Sequence, residues 1–345
     1  RMKIRQNIKC VVWDLDDTIW KGVLVENGGS ELRKCVAHVI ETLDRRGILH
    51  SIASKNPREV ALARLESFGL MEYFLHPQIH WGSKAESIRE ISRQLNIGVD
   101  SIAFVDDQAF ERDEVTFAIP EVLCLDSAGI DSLPLMPELN PRFITEDSGA
   151  RRQRYLTEIV RKNAEAKFAN TPEEFLASLK MVVTISAAGE EDLKRAEELT
   201  ERTHQFNTTG HAYSYDELDQ FRVSADHRLL LAALDDKYGT YGTVGLALVE
   251  CSPETWTLKS FFISCRVLSR GIASIMLCHL RNEASREKVR LLAEFMPNDA
   301  NLVTVVSYKF AGFREIGQKD GLILFEVPVL AVDPFPSHVQ VVIHG

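Results

Sequence analysis

Three short apolar runs constrain this chain more than anything else in it. Each stops at a polar residue, and helix-spaced sequence separates them. Ile8–Trp13 stops at Asp14, Ile48–Ala53 at Ser54, and Ser101–Val105 at Asp106 and Asp107. Between them, Leu32–Arg46 has helical spacing and ends at Gly47, Pro57 suits the first turn of a helix, and Ser83 suits the cap of a helix through Leu95. Strands alternating with helices of roughly 10–15 residues predict βαβ units and a parallel sheet. In such a sheet ligands bind beyond the carboxyl ends of the strands. Asp14, Ser54, Asp106 and Asp107 fall there, and Lys84 falls at a helix start. One aspartate alone reads as an ordinary turn former. The ordered set does not.

The chain has 345 residues, enough for roughly two domains at about 150 residues each. Its net charge is −10, which repels a phosphate backbone, so no nucleic-acid partner is expected. No apolar run reaches the ~20 residues that span a bilayer, so no membrane role is expected. Arg1–Asn7 is polar and basic, unlike a secretory leader. The six cysteines are scattered, with no CxxC pair, and read as reduced thiols of a cytoplasmic protein.

Asp14-Leu15-Asp16-Asp17-Thr18 is a D-x-D-x-T signature. With Ser54, Lys84 and Asp106-Asp107 after it in that order, residues 8–130 resemble the haloacid dehalogenase (HAD) superfamily of phosphotransferases. The resemblance implies a nucleophilic Asp14 that forms an aspartyl-phosphate, and Asp16 as general acid. It implies Mg²⁺ held among Asp14, the Asp16 carbonyl and Asp106 or Asp107, with Ser54 and Lys84 on the phosphoryl oxygens. Only about 40 residues separate Asp14 from Ser54, and about 30 separate Ser54 from Lys84. Neither gap holds a large cap, so Trp20–Gly29 is expected to form only a short flap over an open site.

The second half reads as a helix followed by strands. Pro134, Pro137 and Pro141 mark a connection, Glu146–Lys167 a polar helix, and Thr171 a helix cap. An amphipathic helix is expected over Glu190–Thr203, then strands Arg228–Leu234, Thr243–Glu250 and Trp256–Ser264. A helix Arg270–Ala284, a strand Val289–Phe295, a helix Ala300–Phe310 and a strand Leu322–Val327 complete the series. This order, with Arg266–Ala273 opening a helix, resembles the GNAT acyltransferase fold. In that fold backbone N–H groups of such a loop hold a pyrophosphate or phosphopantetheine phosphate. The expected fold class is therefore α/β, a HAD-like Rossmannoid parallel-sheet domain followed by a GNAT-like acyltransferase domain. The expected bounds are 1–140 for the first domain, 141–170 for a helical linker, 171–330 for the second domain and 331–345 for a C-terminal tail.

Both halves together resemble the FkbH-like family of polyketide biosynthesis. The similar stretches are Trp13–Val23, Val105–Asp107 with Glu111-Arg112, Arg202–Asn207 and Ser264–Gly271. Departures are His204, where asparagine is usual, and Ser269, where glycine is usual. The resemblance implies a bifunctional glyceryltransferase/phosphatase. It takes 1,3-bisphosphoglycerate and loads a glyceryl unit onto the phosphopantetheine of an acyl carrier protein. Cys265 is the expected thiol nucleophile, because a helix N-terminus and two arginines beside it favour thiolate. Arg266, Arg270 and Gly271 are expected to meet the phosphopantetheine phosphate. Asn207 is expected at substrate hydroxyls. His204 reads either as a catalytic base or donor or as a structural histidine. Arg281, Arg286, Lys288 and Arg290 form a basic cluster, either a solvated face or a carrier-facing patch. Two other readings stay open: an acyl-CoA-dependent N-acyltransferase on a HAD scaffold, and a free-standing phosphatase.

Overall fold

A computed structural model of the chain describes residues 7–27, 31–168, 171–203, 205–298, 301–328 and 332–344. They form two compact units, Arg1–Ile159 and Val160–Gly345.

The first unit is a five-stranded parallel sheet, made of β1 Cys10–Trp13, β2 Leu49–Ser54, β3 Gln78–Ile79, β4 Ile102–Asp106 and β5 Leu123–Asp126. Its order is β3-β2-β1-β4-β5, so β1 is central and the chain reverses direction of travel between β1 and β4. The helices are α1 Leu24–Asn27, α2 Val36–Arg45, α3 Arg58–Ser67, α4 Lys84–Leu95, α5 Ala109–Ala118 and α6 Glu146–Gly149. Strand β1 is an unbroken apolar run because both its faces are covered. Val11 and Trp13 share a core with Val39, Ile40 and Leu43 of α2, while Cys10 and Val12 pack with Ile88, Ile91 and Leu95 of α4. At the base of the expected flap, Trp20 bridges Leu32 and the Lys21 amide donates to the Glu31 carbonyl, while residues 28–30 lie outside the described residues.

Helix α7, Arg151–Ala166, crosses the boundary between the units. The second unit contains α8 Pro172–Ser178, β6 Met181–Ala187, α9 Leu193–Arg202, α10 Tyr215–Val223, β7 His227–Asp236, β8 Gly239–Cys251 and β9 Thr255–Ile263. After these come α11 Ile272–Glu287, β10 Arg290–Phe295, α12 Leu302–Phe310, β11 Arg314–Lys319, β12 Leu322–Glu326 and β13 Val339–His344. The sheet has eight strands in the order β11-β12-β10-β9-β8-β7-β6-β13. It is mixed: β9–β10 and β6–β13 are parallel, the other pairs antiparallel. Helix α11 lies on one face through Ile272, Ile275, Met276 and Leu280, and α9 and α10 cover the other through Leu193, Ala196, Leu199 and Leu218. Close approach of α11 explains Gly245, where an added Cβ would lie 2.6 Å from Met276 Sδ.

The α/β class is as expected. Five strands, β3, β5, β6, β11 and β13, lie outside the sequence reading. Residues 339–344, expected within a tail, extend the sheet as β13 beside β6. Strand β11 was not expected, because all six of its residues are exposed and it carries no apolar alternation.

Arg161 is fixed in the second unit by a buried ion pair. Its Nε lies 2.6 Å from Asp236 Oδ2, and its guanidinium sits 3.8 Å over the Tyr241 ring. Asp236 also accepts from the Tyr238 amide at 2.8 Å and from the Tyr241 hydroxyl at 3.3 Å. Arg161→Met would leave that carboxylate buried without its cation. The substitution is expected to lower unfolding stability by about 3–5 kcal/mol in a urea titration. A loss under ~1 kcal/mol would show that the pair is not structurally important.

Candidate functional site

The polar residues that end β1, β2 and β4 converge at the switch point of the parallel sheet, where open α/β sheets bind ligands. Asp14 follows β1, Ser54 ends β2 and Asp106 ends β4. Lys84 opens α4 because the Ser83 hydroxyl caps that helix, accepting from the Ala85 amide at 3.2 Å. The Lys84 ammonium is buried and touches both aspartates, 3.0 Å from Asp14 Oδ1 and 2.5 Å from Asp106 Oδ2. Asp106 Oδ1 accepts from the Gln108 amide at 2.8 Å. Thr18 locks the two loops together: its hydroxyl accepts from the Asp107 amide at 3.1 Å and donates to Asp107 Oδ1 at 3.4 Å.

Asp14, Asp106 and Asp107 bring three carboxylate oxygens within 4.8 Å of one another. Three carboxylates against one ammonium leave two negative charges uncompensated. Burial, with Asp106 adding to it, pushes the Asp14 carboxyl up to about 7 against the pull of Lys84. Burial and Asp106 likewise raise Asp107. Its two carboxylate neighbours outweigh burial and raise Lys84. The donor set therefore fits a hard divalent cation such as Mg²⁺, in both charge and oxygen chemistry. Asp16 stands apart from the three. Its Oδ1 accepts from Trp20 Nε1 at 2.8 Å and from the Leu24 amide at 3.1 Å, and its Oδ2 from Asn56 Nδ2 at 3.1 Å. Its carboxylate is thus tied to the flap rather than to the expected metal group. Asn56, which also reaches Ser54 Oγ at 3.2 Å, was not singled out from sequence. Its position two residues after the β2 terminus was the available signal.

In the second unit, Cys265 lies two residues beyond β9 and is partly buried. It was expected just before a helix N-terminus. Instead a short 3-10 turn, Cys265–Arg270, intervenes, and α11 starts at Ile272 after Gly271 in the left-handed conformation. Gly271 keeps its expected place at the head of α11. Arg266 Nη2 donates to the Tyr241 carbonyl at 3.4 Å. Arg270 corrects the expectation of a ligand-facing guanidinium: it is buried, 3.7 Å from Glu165 and 6.0 Å from the Phe175 ring centre. Asn207 is also corrected. Its Oδ1 accepts from the Thr209 and Gly210 amides and its Nδ2 donates to the His211 carbonyl, so the side chain holds its own loop closed. His204 lies outside the described residues. The basic cluster is largely neutralised, by Arg281–Asp333 at 2.7 Å, by Arg286–Glu283, and by Arg290–Glu326 at 2.8 Å.

Sequence reasoning missed how the segment around Asn207 is used. Strands β9 and β10 pair only from Thr255 to Leu258 and from Arg290 to Ala293. Beyond that, Phe206–Thr208 enters between them. Ile263 donates to the Phe206 carbonyl, Thr208 to the Phe261 carbonyl, and Met296 to the Thr208 carbonyl. Asn301 Nδ2 then holds the Asn207 carbonyl at 2.9 Å.

Topology and site geometry define the class: an α/β chain with a parallel-sheet unit that carries a carboxylate–lysine site and a second, mixed-sheet unit. No protein-family profile and no curated protein matches the chain. Among solved structures, it is similar to the N-terminal part of a Bacteroides fragilis protein containing a phosphatase domain complexed with Mg. The identity is 31% over 44% of this chain and 39% of that one, at a TM-score of 0.32. The chain thus spans about two-fifths of that structure. It is also similar to a ribosomal-protein alanine N-acetyltransferase from Escherichia coli, at 19% identity over 44% of this chain and 99% of that one, TM-score 0.34. A third is the PaiA N-acetyltransferase of Thermoplasma acidophilum in complex with coenzyme A, at 14% identity over 42% of this chain and 97% of that one, TM-score 0.35. Among the described residues no helix is long and apolar enough to cross a membrane.

The carboxylate cluster carries a pH prediction. The folded-state pKa of Asp14, about 7, lies above the ordinary carboxylate range. Metal-free protein therefore has this group's stabilisation in acid and loses it as pH rises through about 7. A cation needs the ionised carboxylates and competes with their protons. The rise in Tm caused by Mg²⁺ should be larger at pH 8 than at pH 5.5. At a hundred times Kd it would correspond to about 2.7 kcal/mol. An equal Mg²⁺ effect at both pH values, or none, would contradict a metal site at these residues.

Proposed function

We propose that the chain is a bifunctional glyceryltransferase/phosphatase acting on 1,3-bisphosphoglycerate and an acyl carrier protein. The observation that carries the reading is the Asp14–Lys84–Asp106 cluster with Asp107 beside it, which suits phosphoryl transfer to a carboxylate. Its companion is Cys265 at the carboxyl end of β9. Burial raises the thiols of Cys10, Cys124, Cys251 and Cys278, which makes them poor nucleophiles.

The Cys265 sulfur attacks the acyl-phosphate carbon. A C–S bond forms, the C–O bond to phosphate breaks, and inorganic phosphate leaves with the electron pair. An acyl phosphate is already activated, so positioning suffices for this step. At the first unit, Asp14 attacks the phosphorus of the remaining 3-phosphate ester, and the bond to the glyceryl oxygen breaks. Asp16 exchanges its flap hydrogen bonds for the leaving oxygen and delivers the proton there. Asp16 then takes a proton from the water that hydrolyses the aspartyl-phosphate. Lys84 and Ser54 hold the phosphoryl oxygens. Bound Mg²⁺, held by Asp14, Asp106, Asp107 and the Asp16 carbonyl, would supply charge against those oxygens. The phosphopantetheine thiol takes the glyceryl group from Cys265, before or after dephosphorylation. Its phosphate meets Arg266 and the backbone N–H groups at Gly271, at the head of α11.

Intact-protein mass spectrometry after mixing with 1,3-bisphosphoglycerate tests this. A glyceryl adduct that Cys265→Ala abolishes is expected, with Mg²⁺-dependent hydrolysis of a simple phosphate ester kept in that variant. Carrier loading at the parent rate by Cys265→Ala would mean direct transfer. Acetyl-CoA turnover with no adduct would favour the N-acyltransferase reading, and phosphate release without transfer a free-standing phosphatase. Asp14→Asn should leave a phosphoglyceryl species on enzyme or carrier, because an amide is no nucleophile. Fully dephosphorylated glyceryl-carrier from that variant would remove Asp14 from the nucleophile's role.

A further inference from the structure

The outer face of α12 is an apolar strip on which, among the described residues, nothing packs. Leu302, Val303, Val306 and Phe310 are 64%, 44%, 49% and 85% exposed, while Thr304 and Tyr308 point into the core. Positions 303, 306 and 310 share one side of a helix at 3.6 residues per turn. Four such residues on one short helix exceed the single scattered apolar side chains of an ordinary surface.

The charge around the strip selects its occupant. The stretch 301–316 holds Lys309 and Arg314 against one carboxylate, Glu315, a local charge of +1 on a chain of net charge −10. Both cations are exposed, and among the described residues neither has an ion-pair partner. Glu326, opposite Arg314 across the β11–β12 pair, is taken by Arg290 at 2.8 Å. Lys309 and Arg314 are therefore cations available to a partner, which Arg281, Arg286 and Arg290 are not. The strip is also continuous with the loop around Asn207. It starts one residue after Asn301, whose Nδ2 holds the Asn207 carbonyl and the Met296 carbonyl at 2.9 Å each.

We propose that the outer face of α12, with Lys309 and Arg314, is the surface on which the acyl carrier protein docks, through a helix that is acidic with an apolar face. This rests on the carrier being the acceptor, as proposed above. The apolar strip supplies contact area and the two cations supply orientation and encounter rate.

The test is direct binding of a fluorescently labelled phosphopantetheinylated carrier to the full chain, with two variants. Lys309→Glu/Arg314→Glu removes the charge, and Val306→Ser/Phe310→Ser removes apolar area from exposed positions. Each should raise the carrier Kd about tenfold, the charge variant mainly at low salt. Glyceryl loading of free pantetheine and hydrolysis of a simple phosphate ester should stay at the parent rate. Unchanged carrier binding in both variants would overturn the proposal. So would equal losses with carrier and free pantetheine, or a parent dimer that the Val306→Ser/Phe310→Ser variant dissociates. A parent that binds carrier at α12 yet loads no thiol would leave the docking surface standing and remove the transfer reading. A parent that loads pantetheine but does not bind carrier would do the opposite.

Discussion

The first unit is organised around one buried contact, the Lys84 ammonium between Asp14 and Asp106. Ions taken out of water are tolerated only when their partners are close and well oriented. Three separate elements must therefore end at one point. Strand β1 has to lie between β2 and β4, and α4 has to start beside them. The continuous burial of β1, the Ser83 cap and the Thr18–Asp107 lock serve that convergence. The arrangement leaves excess negative charge, and the high pKa of Asp14 is its signature. A divalent cation would offset that charge.

The second unit is built on different terms. Its long antiparallel strands supply a rigid platform, and the divergence of β9 from β10 opens a gap that Phe206–Thr208 fills. That segment brings Asn207, the head of α12 and the end of β9 into one hydrogen-bonded group. Cys265 follows this group directly, before the turn that leads to α11.

The site of the first unit was legible in the sequence for a local reason. Asp14, Ser54, Asp106 and Asp107 each sit where an apolar run stops, and Lys84 sits after a cap residue. Both signals are read within a few residues. What was not legible depends on tertiary contact. Arg270 reads as a phosphate ligand until Phe175 and Glu165, about 100 residues upstream, are seen against it. Asn207 reads as a polar tip, but the turn that consumes its amide forms only in the folded loop. Cys265 was placed at a helix head because a 3-10 turn and an α-helix start look alike in sequence. Four of the five strands absent from the sequence reading, β3, β5, β11 and β13, are sheet edges, which need no apolar alternation, whereas the inner strand β6 has an alternating pattern over Met181–Ala187 that the reading did not use.

Asp14 is the proposed site of covalent phosphorylation. The direct measurement is to quench the protein during turnover of a phosphate ester with Mg²⁺, reduce it with borohydride, and map the peptides by mass spectrometry. An aspartyl-phosphate is reduced to homoserine, so position 14 should carry homoserine and Asp16, Asp106 and Asp107 should stay unmodified. Reduction at one of those three, or turnover with Asp14 intact throughout, would contradict the assignment.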